Sequence, residues 1–533
     1  MAKTSHQTVD LAQAMVLAPV AAADWLVITP IIITIIGGAI CLMNRKNTAL
    51  QPWLGLPFLA LLVVSNIFLL RHVLENGIVT MVMGRWYAPF GIAFTVDSTG
   101  ALLCLTASIV ALAGGVYAVA DIRKTQRRYG FFPFLLLLMT GVSGAFLTGD
   151  IFNLYVWFEV LLIASFGLMI LGSEKVQIDG AVKYALLNLI ATTMFLIATA
   201  FVYGVFGTLN MADLAVKAAT VSPSAPILTI GALYVLAFAM KAAAFPVNFW
   251  LPASYHTPNI VVSAIFAGLL TKVGVYALLR VMIMILPGVL LDLASVVGWI
   301  AALTMVLGSL GALAQSDLRR MMGYLVISGI GAMFVGVSIG TTEAVSGAIL
   351  YAVHSIIVMT ALYLAVGVIG RIAGDTDLRK IGGLYRFDHG FAAAFFILAL
   401  AVAGLPPFSG FWPKVILVKA SLETHNDWLA FAILLSGFLT TLAVGRVWLH
   451  AFWRGGIEGT PDGVLAVSGG EARQAFIVGD QRLMLAPVFA LVLVVIYLGM
   501  MPEPVMSVAL QGAADLLDPA DYILSVFGEG AVR

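Results

Sequence analysis

Apolar residues fall in long runs along the 533-residue chain, with short polar turns between them. A helix that crosses a bilayer needs about 20 apolar residues. About fourteen runs meet that demand, near 25–43, 51–71, 98–120, 131–148, 151–172, 181–206, 226–250, 259–284, 293–314, 321–340, 344–369, 390–420, 428–450 and 483–501. The pattern predicts an all-α polytopic membrane protein of about 14 transmembrane helices with no soluble domain. The longest polar stretch, Trp453 to Arg482, carries Gly455-Gly456, Pro461-Asp462-Gly463 and Gly469-Gly470 and reads as a mobile loop. Leu11 to Ala23 is apolar and ends in small residues. With only Lys3 ahead of it and Asp10 beside it, it reads as a short interfacial segment rather than a cleaved signal. Residues 505–527 alternate apolar and polar around Asp515, Asp518 and Asp521. They read either as a surface helix along the outer membrane face or as a helix packed on a partner subunit.

Basic residues set the orientation. Turns after odd-numbered runs hold Arg45 and Lys46, then Arg123, Lys124, Arg127 and Arg128, then Lys175, Arg319 and Arg320. Further along they hold Arg371, Arg379, Lys380 and Arg386, then Arg454, Arg473 and Arg482. Turns after even-numbered runs hold little beyond Arg71, Arg85 and Lys217. The positive-inside rule then puts both termini outside the cytoplasm of a bacterial inner membrane.

Composition narrows the function. The chain is 61% hydrophobic and 10% charged, against about 25% charged for ordinary soluble domains. A net charge of +1 gives no reason to expect a nucleic acid or an acidic macromolecule as partner. Cys41 and Cys104 sit in apolar runs, without the spacing of a disulfide framework or a metal site. No phosphate loop, dinucleotide fingerprint or histidine cluster is present. The expectation is a protein that is not an enzyme and holds no cofactor or metal, with energy drawn from an ion gradient or a partner.

The informative residues are ionisable groups in mid-run: Glu159 in the fifth, Lys241 in the seventh, Lys272 in the eighth and Lys414 in the twelfth. Lys272 has roughly 18 Å of helix on either side at 1.5 Å per residue, farther than a lysine stem can snorkel. At a helix centre each lysine costs about 2.5–3.5 kcal/mol on insertion scales, so such residues face a polar interior and mark function. Three lysines against one mid-span acid do not balance as inert ion pairs. Backbone breaks accompany the charges. Pro246 cannot donate to the carbonyl of Ala242, beside Lys241. Gly404-Leu405-Pro406-Pro407, Ser409-Gly410 and Pro413 directly precede Lys414, the pattern of the discontinuous helices of transporters. The five-run spacing of these breaks hints at two five-helix halves. His354 in the eleventh run is either a proton relay or a histidine satisfied by a hydroxyl. His256, in the turn before the eighth run, is either a proton entry point or a loop residue.

Taken together, these residues resemble a known family. Lys241, Pro246, Trp250-Leu251-Pro252, His256 and Pro258, followed by Val262-Ser263-Ala264, Gly268, Lys272, Gly274, Tyr276 and Arg280, closely resemble the core motif of antiporter-like subunits. Such subunits occur in respiratory complex I, membrane-bound hydrogenases and Mrp-type multisubunit cation/proton antiporters. Asn153 to Glu159 is similar to the family's fifth helix with its glutamate, and Gly404 to Lys414 to its broken twelfth helix. Tyr203-Gly204 and Gly207 to Leu214 look most like the D subunit of the Mrp branch. The resemblance implies a fourteen-helix fold with two inverted five-helix repeats and broken helices 7 and 12. It divides the chain into 1–130 (helices 1–3), 131–285 (first repeat), 286–450 (second repeat) and 451–533 (loop, last helix and tail). It also implies a proton path through Glu159, Lys241, Lys272, His354 and Lys414, with His256 at its entry. One departure stands out: many relatives carry a lysine just after the helix-11 histidine, whereas residues 355–364 contain none and Met359 sits nearest that place. His354 is then the group left to link Lys272 with Lys414. The expected function is proton translocation within a Na+(K+)/H+ antiporter, with other membrane subunits and the lipid bilayer as partners and protons and a monovalent cation as cargo. The alternative is a proton-pumping subunit of complex I or a hydrogenase.

Overall fold

A computed structural model describes residues 15–16, 20–221, 225–454 and 481–528. Most of the Leu11–Ala23 segment, and all but the rim of the polar stretch between Trp453 and Arg482, lie outside the described residues.

The long helices are α1 (Thr29–Met43), α2 (Leu50–Asn76), α3 (Ser98–Asp121), α4 (Phe131–Leu147), α5 (Ile151–Met169), α6 (Lys175–Phe206), α7 (Ile227–Ala242) and α8 (Ile260–Leu279). They continue with α9 (Pro287–Ala314), α10 (Leu318–Ile339), α11 (Thr342–Ala373), α12a (His389–Ala403), α12b (Phe411–Glu423), α13 (Asp427–Val447), α14 (Gln481–Met500), α15 (Glu503–Leu517) and α16 (Ala520–Phe527). Among the described residues, 10 helices are long and apolar enough to cross a membrane. Four shorter apolar helices, α1, α4, α7 and α12a, fall on the remaining predicted runs. A small antiparallel hairpin, β1 (Val79–Val82) and β2 (Ala93–Val96), pairs Val79 with Val96 at one end of the helices.

Helix α11 is the central post. It packs against α3, α8, α10, α12a, α12b, α14 and α15. Its 32 residues start where the Thr341 side chain accepts from the Ala344 amide and stop at Gly374, whose φ of 78° is easy only for glycine. Close packing around it uses small residues, as expected where helices lack a hydrophobic drive toward one another. A Cβ on Gly268 of α8 would collide with the Thr360 hydroxyl of α11. In contrast, α2, α6 and α13 keep large apolar side chains such as Phe68, Phe201 and Phe438 on the surface, where lipid or other subunits replace water.

The tail has one face packed on its own chain. In residues 505–527, α15 folds back onto α3 and α11 of the same chain and buries Val508, Ala509, Gly512, Ala513 and Leu516. Helix α16 follows and packs on the hairpin, with Tyr522 fully buried. The polar positions of the alternating pattern thus include an inner face, and Asp515 points into it.

Candidate functional site

Helix α7 ends early, and the motif residues explain why. Ala243 takes a left-handed conformation (φ 61°), and the Trp250 indole nitrogen returns to donate to the Met240 carbonyl at 3.1 Å. The Phe245 amide, outside any helix, finds Thr304 Oγ1 at 2.9 Å. Lys241 stands in the last turn before this break and is 4% exposed. Its ammonium has no hydrogen-bond partner among the described residues and sits 5.2 Å over the Phe158 ring. Glu159, half-buried on α5, is the carboxylate that acts on it electrostatically. The two form no ion pair within 4.0 Å.

Lys272 lies one helix over, at the centre of α8, and is 1% exposed. It donates to the Ala267 carbonyl at 2.6 Å. Gly274 lets α8 approach α7, because a Cβ there would lie 3.2 Å from that of Lys241. Beyond Leu279 the helix widens into a π turn, Arg280–Ile285, a feature frequent at functional sites.

The second break repeats the first with its parts in another order. Helix α12a ends at Gly404 (φ 86°), and α12b restarts at Phe411. Lys414 follows the break instead of preceding it, and reaches back to the Ala403 carbonyl at 2.6 Å and the Val402 carbonyl at 3.4 Å. These are orphan acceptors at a helix C-terminus, where a cation is stabilised. A Cβ on Gly404 would sit 2.5 Å from the Lys414 stem, so φ and space both require glycine. Ser409 in the same break lies 2.8 Å from His354 Nδ1. A hydroxyl thus partners the ring, and the ring lies within electrostatic reach of Lys272 and Lys414.

The structure thus brings Lys272 and Lys414 within electrostatic reach of His354 at α8, α11 and the α12 break, and keeps Lys241 at the end of α7 with Phe158 and Glu159 of α5. None of the three lysines forms an ion pair with a described residue. His256 stands apart, at the turn. Its Nδ1 faces the Pro252 carbonyl at 2.9 Å and its Nε2 faces an Arg320 nitrogen at 3.2 Å. Arg320 can only donate, so Nε2 accepts and Nδ1 carries the proton. Burial and the Arg320 charge accordingly hold this imidazole below its usual range.

Sequence reasoning missed a second buried charge cluster. Arg280 bonds Asp97 at 2.5 Å, and both side chains are 0% exposed. Arg280 also donates to the Tyr276 hydroxyl at 2.9 Å and lies between the Tyr276 and Tyr522 rings, 5.1 and 5.4 Å from their centroids. Asp97 caps α3 through the Gly100 amide at 2.8 Å. Asp515 of α15 comes up to the same helix start at Ser98, and burial, followed by the Asp97 charge, pushes its carboxyl up to about 6. The cap signal Asp97-Ser98 is visible in the sequence. Its pairing with Arg280, 183 residues away, is not.

Protonatable groups buried at two helix breaks of a multi-pass membrane protein make the arrangement of an ion transporter. Residues 148–440 match the family model described as NADH:quinone oxidoreductase/Mrp antiporter, TM, and the chain belongs to that family. It is 40% identical over 508 residues to the D subunit of the Na(+)/H(+) antiporter of Alkalihalophilus pseudofirmus, covering 95% of this chain and 99% of that one. The D subunit of the Bacillus subtilis Na(+)/H(+) antiporter is 36% identical, with 94% and 99% covered. Among solved structures, a chain of the Mrp complex from Dietzia sp. DQ12-45-1b superposes with a TM-score of 0.86 at 28% identity, covering 96% of this chain and all of that one.

Proposed function

We propose that this chain is the proton-translocating D subunit of a multisubunit Na+(K+)/H+ antiporter in a bacterial inner membrane, working with other membrane subunits. The observation that carries the reading is the set of buried lysines held by carbonyls, a ring face and no carboxylate within 4.0 Å. A cation held by neutral acceptors can give up its proton without leaving a buried carboxylate uncompensated. In this reading Glu159 sets the proton affinity of Lys241, Lys272 receives the proton, His354 with Ser409 passes it on, and Lys414 delivers it. The left-handed ends of α7 and α12a support two five-helix repeats, 131–285 and 286–450. The alternation of basic turns supports both termini lying outside the cytoplasm, with His256 and Arg320 at the cytoplasmic end of the path.

The test is exchange in everted vesicles from cells expressing the whole complex. Lys272→Met and Lys414→Met should each abolish sodium- or potassium-dependent proton movement while the assembled complex keeps its subunits. Full exchange by both assembled variants would remove the lysine path.

A further inference from the structure

Three separated segments close a pocket of about 300 Å3 at the end of the molecule that carries the basic turns. They are the α9–α10 turn at Ser316, the α11–α12a turn at Leu378, Arg379 and Ile381, and the end of α13 with the π turn that continues it (Trp448–Trp453), at Arg446, His450 and Arg454. Three of the lining side chains are guanidinium groups and a fourth is an imidazole, while no carboxylate lines it among the described residues.

The balance of charge there is uneven. Arg379 is matched by Asp377, which it meets at 2.6 to 3.1 Å, and next to it Lys380 is matched by Asp375 at 2.9 Å. Arg446 donates to the carbonyls of Leu313 and Gln315, which fix its position without neutralising it. Arg454 shares a contact with His450 Nδ1 at 3.3 Å. Neither Arg446 nor Arg454 forms an ion pair with any described residue. Two guanidinium groups held at one cavity repel each other unless an anion sits between them, and planar guanidinium forks fit phosphate oxygens in pairs.

The surroundings point to the source of that phosphate. Exposed apolar side chains run along α13 and the π turn after it, Leu434, Phe438, Leu442, Leu449 and Trp453, the last two next in sequence to the pocket residues His450 and Arg454. Trp453 is 73% exposed, and exposed tryptophan at a helix end marks the headgroup level of a bilayer. A free anion has no use for that stripe, whereas an acyl chain lies along it. Basic pockets between helices on the cytoplasmic side are sites for acidic headgroups.

We propose that the cavity between the α9–α10 turn, the α11–α12a turn and the end of α13 binds the phosphodiester headgroup of an anionic phospholipid through Arg446 and Arg454, with an acyl chain along α13. The site is separate from the proton path, and its occupancy does not depend on which ion the complex exchanges.

The test uses the co-expressed complex, stripped of loosely held lipid in detergent and supplied with phosphatidylglycerol or phosphatidylcholine, with retained lipid counted by native mass spectrometry. The wild-type complex should keep one more phosphatidylglycerol than Arg454→Gln, whose affinity for it should fall at least about tenfold on loss of a charge-assisted contact. Arg446→Gln should show the same loss, with assembly confirmed in the same spectra. Arg454→Lys, which keeps the charge without the fork, should recover part of the binding. Equal phosphatidylglycerol counts in wild type and both glutamine variants would overturn the proposal. So would equal retention of phosphatidylcholine. Displacement of the retained lipid by millimolar inorganic phosphate would assign the pocket to a free anion and overturn the lipid assignment.

Discussion

Replacing Asp97 by Asn isolates the worth of the buried Asp97–Arg280 pair. Asparagine caps a helix about as well as aspartate, so the bond from the Gly100 amide survives and the shape barely changes. The charge facing Arg280 is lost, and that side chain is 0% exposed. Removing one partner of a buried ion pair costs about 3–5 kcal/mol. Two features soften this. The Tyr276 and Tyr522 rings flank the guanidinium, each contact contributing about 0.5–2 kcal/mol and persisting in the variant. The Asp515 carboxylate is also close enough to act on Arg280. A net loss of about 2–3 kcal/mol is expected, roughly a 30- to 150-fold shift in equilibrium. Because Tyr522 and Asp515 belong to the tail, the loss should fall on tail docking as well as on the α3–α8 contact. Thermal melting of the purified complex, followed with proteolysis of the C-terminal segment, reads both. Asp97→Asn should melt earlier and release the tail sooner, and Asp97→Leu with Arg280→Met should recover most of the loss. A single variant that melts with wild type, or a double variant no more stable than the single one, would refute the reasoning.

Three further outcomes follow from the geometry. Glu159→Gln should cripple exchange in an assembled complex, because closing a carboxylate from about 8 to about 4 Å changes its attraction for Lys241 by roughly 2 kcal/mol at an effective dielectric of 20; near-normal exchange across the pH range would return Glu159 to a structural role. Asp515 carries a carboxyl pushed up to about 6, above the ordinary value of about 3.9, so docking of α15 is strongest below about pH 4 and weakens as pH rises through 6. Asp515→Asn should remove that dependence and tighten docking at pH 7–8 by roughly 1 kcal/mol after allowance for solvent screening, and proteolysis of the tail against pH checks it. A tag after Arg533 should be reachable from outside intact cells and a label on the Lys124 turn should not, and the reverse pattern would break the assigned orientation.

Much of the architecture is legible in the sequence because apolar run length is a one-dimensional signal. Lys241, Lys272 and Lys414 announce themselves by cost alone, since a mid-run lysine must be buried somewhere polar. What each one touches is not legible. The carbonyls that hold Lys414 come from the far side of its own helix break, and the hydroxyl on His354 comes from 55 positions away. The tail reads as a surface element because its alternation shows that one face is apolar without saying what covers it. Asp97 escapes notice because it opens its helix, where an aspartate usually reports only a cap.

If the buried lysines carry protons as proposed, their charges also limit how many protons the interior holds at once. With no carboxylate within ion-pair distance of any of them among the described residues, His354 feels the charges of two, Lys272 and Lys414. Like charges about 10 Å apart at an effective dielectric of 20 repel by roughly 1.7 kcal/mol. On the proposed path, a proton on Lys272 or Lys414 would therefore disfavour one on His354. On that proposal the interior would work as a single-file queue, in which the arrival of one carrier, rather than an outside signal, releases the one ahead of it.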